Sequence, residues 1–229
     1  MSFNTLEILI RTHDARLYLS EQLKSSCIRH IHPKVQILNT GVAHKRYSEK
    51  FHRHLHNFYM GSDCRYVLIL EDDMTFSEGA KSVIIQAMAL GLSHVWFSIP
   101  SLEVFQYAHP MCKGFKRLHI KDTLSYSGAI LLRSDLLKEY LEHYFFKFLE
   151  LDDQEFDLNL SRYLSCKLQH LVIREGVFGT DLKVESSLNK YMWDEFRQDC
   201  HKGIDPYFSL KNAVHKYNVK DFTRINTDG

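Results

Sequence analysis

Residues 65–73 read Arg-Tyr-Val-Leu-Ile-Leu-Glu-Asp-Asp, and the fold turns on them. Four apolar side chains in a row, Val67 to Leu70, exceed what a half-exposed strand tolerates, so both faces of this strand are buried. It runs straight into three carboxylates, Glu71, Asp72 and Asp73. Working outward, apolar runs alternate with helix-like spacing. Before the central strand stand Leu6 to Ile10 (strand), Ala15 to Ile28 (helix), Val35 to Leu38 (strand) and Tyr47 to Tyr59 (helix). After it come Gly79 to Leu90 (helix), His94 to Ile99 (strand), Tyr126 to Leu132 (strand) and Ser134 to Phe148 (helix). Such alternation predicts an α/β fold with a mixed, mostly parallel sheet flanked by helices.

The chain has 229 residues, 45% of them apolar and 13% aromatic, enough for a sizeable core. Four Pro and 10 Gly, with no Ser/Gly-rich run, mark no linker, so one domain is expected over residues 1–229. Within it, about 1–100 and about 101–213 would form two halves, and 214–229 a polar tail. Lys and Arg total 29 against 28 Asp and Glu, a formal charge of +1 that does not demand a polyanionic partner. Five scattered Cys without a CxxC pair read as reduced thiols. The opening residues are too short and too polar an apolar stretch for a signal peptide, and no window reaches the ~18–20 apolar residues of a membrane span. A cytoplasmic protein is the expectation.

In open α/β sheets, ligands bind beyond the carboxyl ends of the strands, where the acidic triplet falls. In an extended chain Glu71 and Asp73 would face one side and Asp72 the other. Converging carboxylates repel, and a hard divalent cation relieves that cost. A solvated acidic turn ahead of the next helix is the plainer alternative. The loop after the first strand, Arg11-Thr12-His13-Asp14-Ala15-Arg16, offers a hydroxyl, a carboxylate and guanidinium groups suited to a base, a ribose and a phosphate. As an ordinary helix start, Asp14 would cap and Arg16 would sit in solvent. The stretch Leu151 to Leu164 carries helical spacing, with Asp157 near its start as a candidate general base and Asp152, Asp153 and Glu155 as substitutes. His52 and His56 stand one turn apart, a spacing that can hold a metal, but their helix reads first as amphipathic. Its apolar side is Phe51, Leu55, Phe58 and Tyr59, and its solvated side is basic. Trp96, Trp193, Tyr191, Phe196, Tyr207 and Phe208 stack on a sugar or simply pack.

These pieces resemble nucleotide-sugar glycosyltransferases with the GT-A fold, especially family 2. ILIRTHDARLYLSEQL (8–23) is similar to their first strand, loop and helix, and LILEDDMTFSEG (68–79) to their metal-binding DXD element. The Glu-Asp-Asp form also resembles the element of the lipopolysaccharide (family 25) glycosyltransferases. YSGAILLRSDLL (126–137) resembles the acceptor-side strand and helix, FDLNLSRYL (156–164) the helix of the catalytic aspartate, and FGTDLKVESSL (178–188) a late strand and loop. Two departures stand out. VQILNTG (35–41) lacks the acidic pair that family 2 usually places after its second strand, and the candidate base lies in Phe156-Asp157 rather than a Glu-Asp pair.

The resemblance implies an inverting, metal-dependent hexosyl- or pentosyltransferase using a sugar nucleotide, a UDP-sugar first, with about 1–100 as its nucleotide-binding half and about 101–213 as its acceptor half. Mn²⁺ or Mg²⁺ would sit on Asp73 with help from Glu71 and, at a late position, His201. Arg11, Thr12, Asp14 and Asp72 would bind the nucleotide sugar, and Asp157 would be the base. The acceptor hydroxyl would belong to a surface polysaccharide, a protein or a modified nucleic acid base. Two other classes remain: a carboxylate-metal phosphotransferase or nuclease using Glu71, Asp73 and Asp157, and a non-catalytic α/β binding module.

Overall fold

The computed structural model describes residues 5–41, 47–60, 62–97, 108–118, 128–147, 156–168 and 170–180. Its centre is the strand the sequence singles out, β3 (Tyr66–Glu71), lying parallel to β1 (Leu6–Thr12) with Leu6 opposite Tyr66 and Arg11 opposite Glu71. On the far side of β1 lies β2 (Val35–Asn39), also parallel. The chain reaches β2 through α1 (Leu17–His30) and returns to β3 through α2 (Tyr47–Met60). Alternation along the strands decides which helix covers which face. Ile8, Ile10, Leu68 and Leu70 pack with Leu23 and Cys27 of α1, while Leu9, Val67 and Ile69 pack with Phe51 and Leu55 of α2. With its helices on opposite faces, the sheet opens a crevice at the carboxyl ends of β1 and β3.

The remaining elements extend the same plan. After β3 come the short strand β4 (Met74–Phe76), α3 (Ala80–Ala89), β5 (His94–Trp96), β6 (His109–Pro110), β7 (Lys116–Leu118) and β8 (Ala129–Arg133). Then follow α4 (Ser134–Lys147), α5 (Phe156–Leu168), β9 (Leu171–Ile173) and β10 (Phe178–Thr180). The main sheet has the order β2-β1-β3-β8-β5-β9-β7-β6, and β4 pairs separately with β10. β7 and β8 run against the other six strands, so this is a mixed, mostly parallel sheet flanked by helices. α1, α3 and the β4–β10 ribbon cover one face; α2, α4 and α5 cover the other. No helix among the described residues is long and apolar enough to cross a membrane.

Two buried histidines tie these parts together. His94 is fully enclosed, and its Nε2 accepts a hydrogen bond from the Val172 amide at 3.0 Å, joining β5 to β9. Burial pushes its pKa down to about 3, so the ring is neutral and able to accept. His52 departs from the expected solvated helix face. It lies wholly inside, 2.6 Å from the Tyr140 hydroxyl of α4, with Phe51 and Phe156 against its ring. The histidine is apolar enough on its faces to join the core once α4 supplies a partner for its nitrogen. Of the five cysteines, Cys27, Cys64, Cys112 and Cys166 are described and all are free.

Tyr140→Phe deletes one side of the His52 hydrogen bond without changing the ring's packing. It should lower unfolding free energy by about 1–3 kcal/mol in urea titrations. A change of a few tenths would mean that the pair holds nothing together.

Candidate functional site

β1 and β3 end side by side, and their last residues divide between the two faces of the sheet. Arg11 and Glu71, paired in register, form an ion pair on the α2 side, where the Arg11 guanidinium lies 5.3 Å from the Phe51 ring centre. The extended chain then stops. Asp72 and Asp73 form a turn into β4, so the alternation expected from sequence does not continue through them. Glu71 parts from Asp73, and Asp72 joins Asp73 instead. Both aspartates are buried, at 3% and 5% exposure.

What brings them together is Arg16, for which the sequence offered either a phosphate or solvent, but not the two aspartates. A short 3-10 turn, Asp14–Arg16, follows β1 and carries this side chain back under the rim. One terminal nitrogen, Nη2, sits 2.9 Å from Asp72 Oδ1 and 2.8 Å from Asp73 Oδ2, with the arginine side chain only 14% exposed. Thr12 completes the cluster: its hydroxyl donates to Asp72 Oδ2 at 2.6 Å. The usable signal lay in the spacing. An arginine four residues beyond a buried strand end, one strand away from an acidic turn, is within reach of it.

Three atoms of the cluster, Asp73 Oδ1, Arg16 Nε and Arg16 Nη2, are shut off from solvent without a well-aligned hydrogen bond, so Nη2 holds the two aspartates by charge. Under-satisfied buried polar atoms call for an explanation, and a ligand that completes the bonding is one. Three carboxylates against two guanidiniums leave one negative charge in excess. Burial, working against the attraction of Arg16, pushes the Asp72 carboxyl from its ordinary 3.8 up to about 7. Burial also opposes the charge of Arg16, but Asp73 and Asp72 outweigh it and raise its pKa, so the guanidinium stays protonated.

Asp14 lies at the outer edge of the site. Its Oδ1 accepts from Asn39 Nδ2 at 2.8 Å, and its amide donates to the Gly41 carbonyl at 3.0 Å. Asn39 Oδ1 in turn accepts from the Gly41 amide at 2.9 Å, and Gly41 turns the chain with a φ of +79°. Thus Asn39 meets Asp14 where an acidic pair was lacking. Asp157 falls in the first turn of α5, and its side chain lies outside the described residues, as do Asp152, Asp153, Glu155, His201, Tyr191, Trp193, Phe196, Tyr207, Phe208 and residues 214–229. The described part of α5 begins near the site. The same Phe51 ring that carries Arg11 packs edge-on against Phe156, with centroids 4.9 Å apart.

No group of three His, Cys, Asp or Glu side chains able to hold a metal occurs among the described residues. The donor set still suits a cation bound chiefly through phosphate and water. Mg²⁺ commonly takes only one or two carboxylates, and Asp73 Oδ1 is one open, buried carboxylate oxygen.

No protein-family model matches the chain, and no curated protein does. Among solved structures it is similar to the STIV protein A197, with 14% identity and a TM-score of 0.42 over 73% of this chain and 81% of that one. A UDP-glucose pyrophosphorylase solved with UDP-glucose gives 14% identity and a TM-score of 0.43, over 86% of this chain and 81% of that one. At these values the likeness is one of general shape and says nothing of what this chain binds.

The Asp72 shift has a definite sign. The folded state holds this proton more tightly than the unfolded chain, so the group stabilises the fold at low pH. That contribution is lost as pH rises from about 4 through 7. With chelator present, Asp72→Asn should therefore gain stability relative to the native chain between pH 5 and pH 8, by about 1 kcal/mol or more in urea melts. Parallel pH profiles for the two proteins would contradict the assignment.

Proposed function

We propose that this chain is a nucleotide-sugar glycosyltransferase acting with inversion, its donor diphosphate held at the rim between β1 and β3. The observation that carries the reading is the buried Thr12–Asp72–Arg16–Asp73 cluster, with an acceptor and a donor atom left open, at the carboxyl ends of two parallel strands. Buried, charge-coupled groups of this kind cluster at functional sites, which supports the reading.

On this reading Asp73 offers Oδ1 to a divalent ion, Mn²⁺ or Mg²⁺, with Glu71 and His201 as further candidates. When bound, that ion supplies positive charge to the departing diphosphate. Charge arithmetic favours its arrival together with nucleotide, because the excess negative charge of the cluster repels a bare diphosphate. Thr12 and Asp72 face the donor, Arg16 keeps the two aspartates in place, and Asp14 with Arg11 flanks the nucleoside. Asp157 takes the proton from the acceptor hydroxyl. The freed oxygen pair bonds to the anomeric carbon from the far side while the bond to the diphosphate breaks and the nucleoside diphosphate leaves with its electrons. The start of α5, against the ring that also carries Arg11, supports a carboxylate from that helix facing the same rim. A two-cation nuclease is less well served, since Arg11 and Arg16 leave only one carboxylate charge in excess, too little to hold two divalent ions.

The test is a thermal-shift matrix followed by turnover. UDP with Mn²⁺ should raise Tm more than the sum of either alone. In a screen of sugar nucleotides, Asp73→Ala should abolish metal-dependent hydrolysis, and Asp157→Ala should cut transfer about 10²–10⁴-fold while leaving nucleotide binding intact. Metal stabilisation without nucleotide, or equal hydrolysis by all three proteins, would refute the reading.

A further inference from the structure

We infer that a second ligand site, for a phosphate group, lies at the opposite end of β3, where Arg65 and Arg133 line an open cleft beside the buried hydroxyl of Tyr66. The cleft has a volume of about 520 Å³ and is lined by Arg65, Arg133, Ser134 and Asp135. The six residues of β3 set it about 17 Å from the acidic rim, at roughly 3.3 Å per residue, so it is no extension of that site.

Register creates it. β8 runs antiparallel to β3, which puts Arg133 directly opposite Tyr66, and the Ser134 amide donates to the Arg65 carbonyl at 2.9 Å. Two arginines from different segments therefore end at one place. Arg133 is partly used, its Nε donating to Asp135 Oδ1 at 2.6 Å. That same oxygen also accepts from the Leu136 amide at 2.8 Å, so Asp135 is already engaged by two donors. Arg65 has no carboxylate partner among the described residues; its guanidinium lies 5.8 Å from the Tyr66 ring centre. The cleft thus keeps one net positive charge at the opening turn of a 14-residue helix.

Tyr66 supplies the independent sign of a ligand. Its side chain is 1% exposed and its hydroxyl is buried with no hydrogen-bond partner. Tyr66 stands between the two arginines of the cleft, with the Arg65 guanidinium against its ring and Arg133 opposite it across the ladder. A tyrosine hydroxyl without a partner is costly inside a protein, and an oxyanion held by the neighbouring arginines would offer it an acceptor. Arg65 and Arg133 offer planar donors to phosphate oxygens, and Tyr66 donates to a third once Arg65 swings off its ring.

The experiment is differential scanning fluorimetry with inorganic phosphate against chloride at matched ionic strength. The native chain and Asp73→Ala should both show a saturable rise in Tm. Arg65→Gln should weaken phosphate at least tenfold. Tyr66→Phe should be as stable as the native chain or more so without phosphate, yet respond less to it. Vesicles containing phosphatidate, compared with phosphatidylcholine alone, separate the sources. Sedimentation of the native chain, but not Arg65→Gln, with the acidic vesicles assigns the phosphate to a lipid headgroup. Phosphate binding without sedimentation assigns a soluble ligand. The site is overturned by an absent phosphate response, by one that survives Arg65→Gln, by one that vanishes in Asp73→Ala, or by a Tyr66→Phe chain less stable than the native one.

Discussion

One guanidinium held between two buried aspartates sets the terms for the rest of this structure. Removing three charged groups from water costs several kcal/mol apiece unless their geometry repays it. Arg16 does so for Asp72 and Asp73 with a single nitrogen, and Thr12 adds the third contact. The cluster fastens the loop after β1 to the turn after β3, so the two strand ends cannot separate without exposing unpaired charge. Its incompleteness matters as much as its strength. Asp73 Oδ1 and Arg16 Nε stay open within it.

The topology makes such a cluster possible. β1 sits between β2 and β3, all three parallel, and the helices that link them cover opposite faces. The chain therefore leaves β1 for β2 on one side and returns to β3 on the other, the switch point at which ligands dock in open α/β sheets. The antiparallel β8 closes the other flank of β3 and brings Arg133 to Tyr66. One strand thereby carries charge chemistry at both ends, negative where it is followed by a turn and positive where it begins.

Much of this was legible in the residues. Compact apolar runs found β1, β2, β3 and β8, and helical spacing found α1, α2, α3, α4 and α5, because each buries a long continuous face. The short strands were hidden for a physical reason. β4, β7 and β9 are three residues each and owe their existence to distant partners, as with Phe76 of β4 opposite Phe178. The site was legible in its composition but not in its pairing. Alternation along an extended chain assigned Glu71 and Asp73 to one side, whereas the chain leaves the strand at Glu71. His52 was read as solvated, and Arg16 as facing either phosphate or solvent, because local periodicity cannot see a partner arriving from another element.

β3 also has a consequence before the fold exists. Tyr-Val-Leu-Ile-Leu is the kind of short, uncharged, β-prone segment that sticks to copies of itself when exposed during synthesis. Its correct neighbours lie about sixty residues away on either side, Leu6 facing Tyr66 and Arg133 facing the same residue, so pairing is slow to arrive. Arg65 at one end and Glu71-Asp72-Asp73 at the other bracket it with opposite charges throughout that wait. The charged residues that bound this strand in the finished protein thus serve earlier as gatekeepers against self-association of the nascent chain.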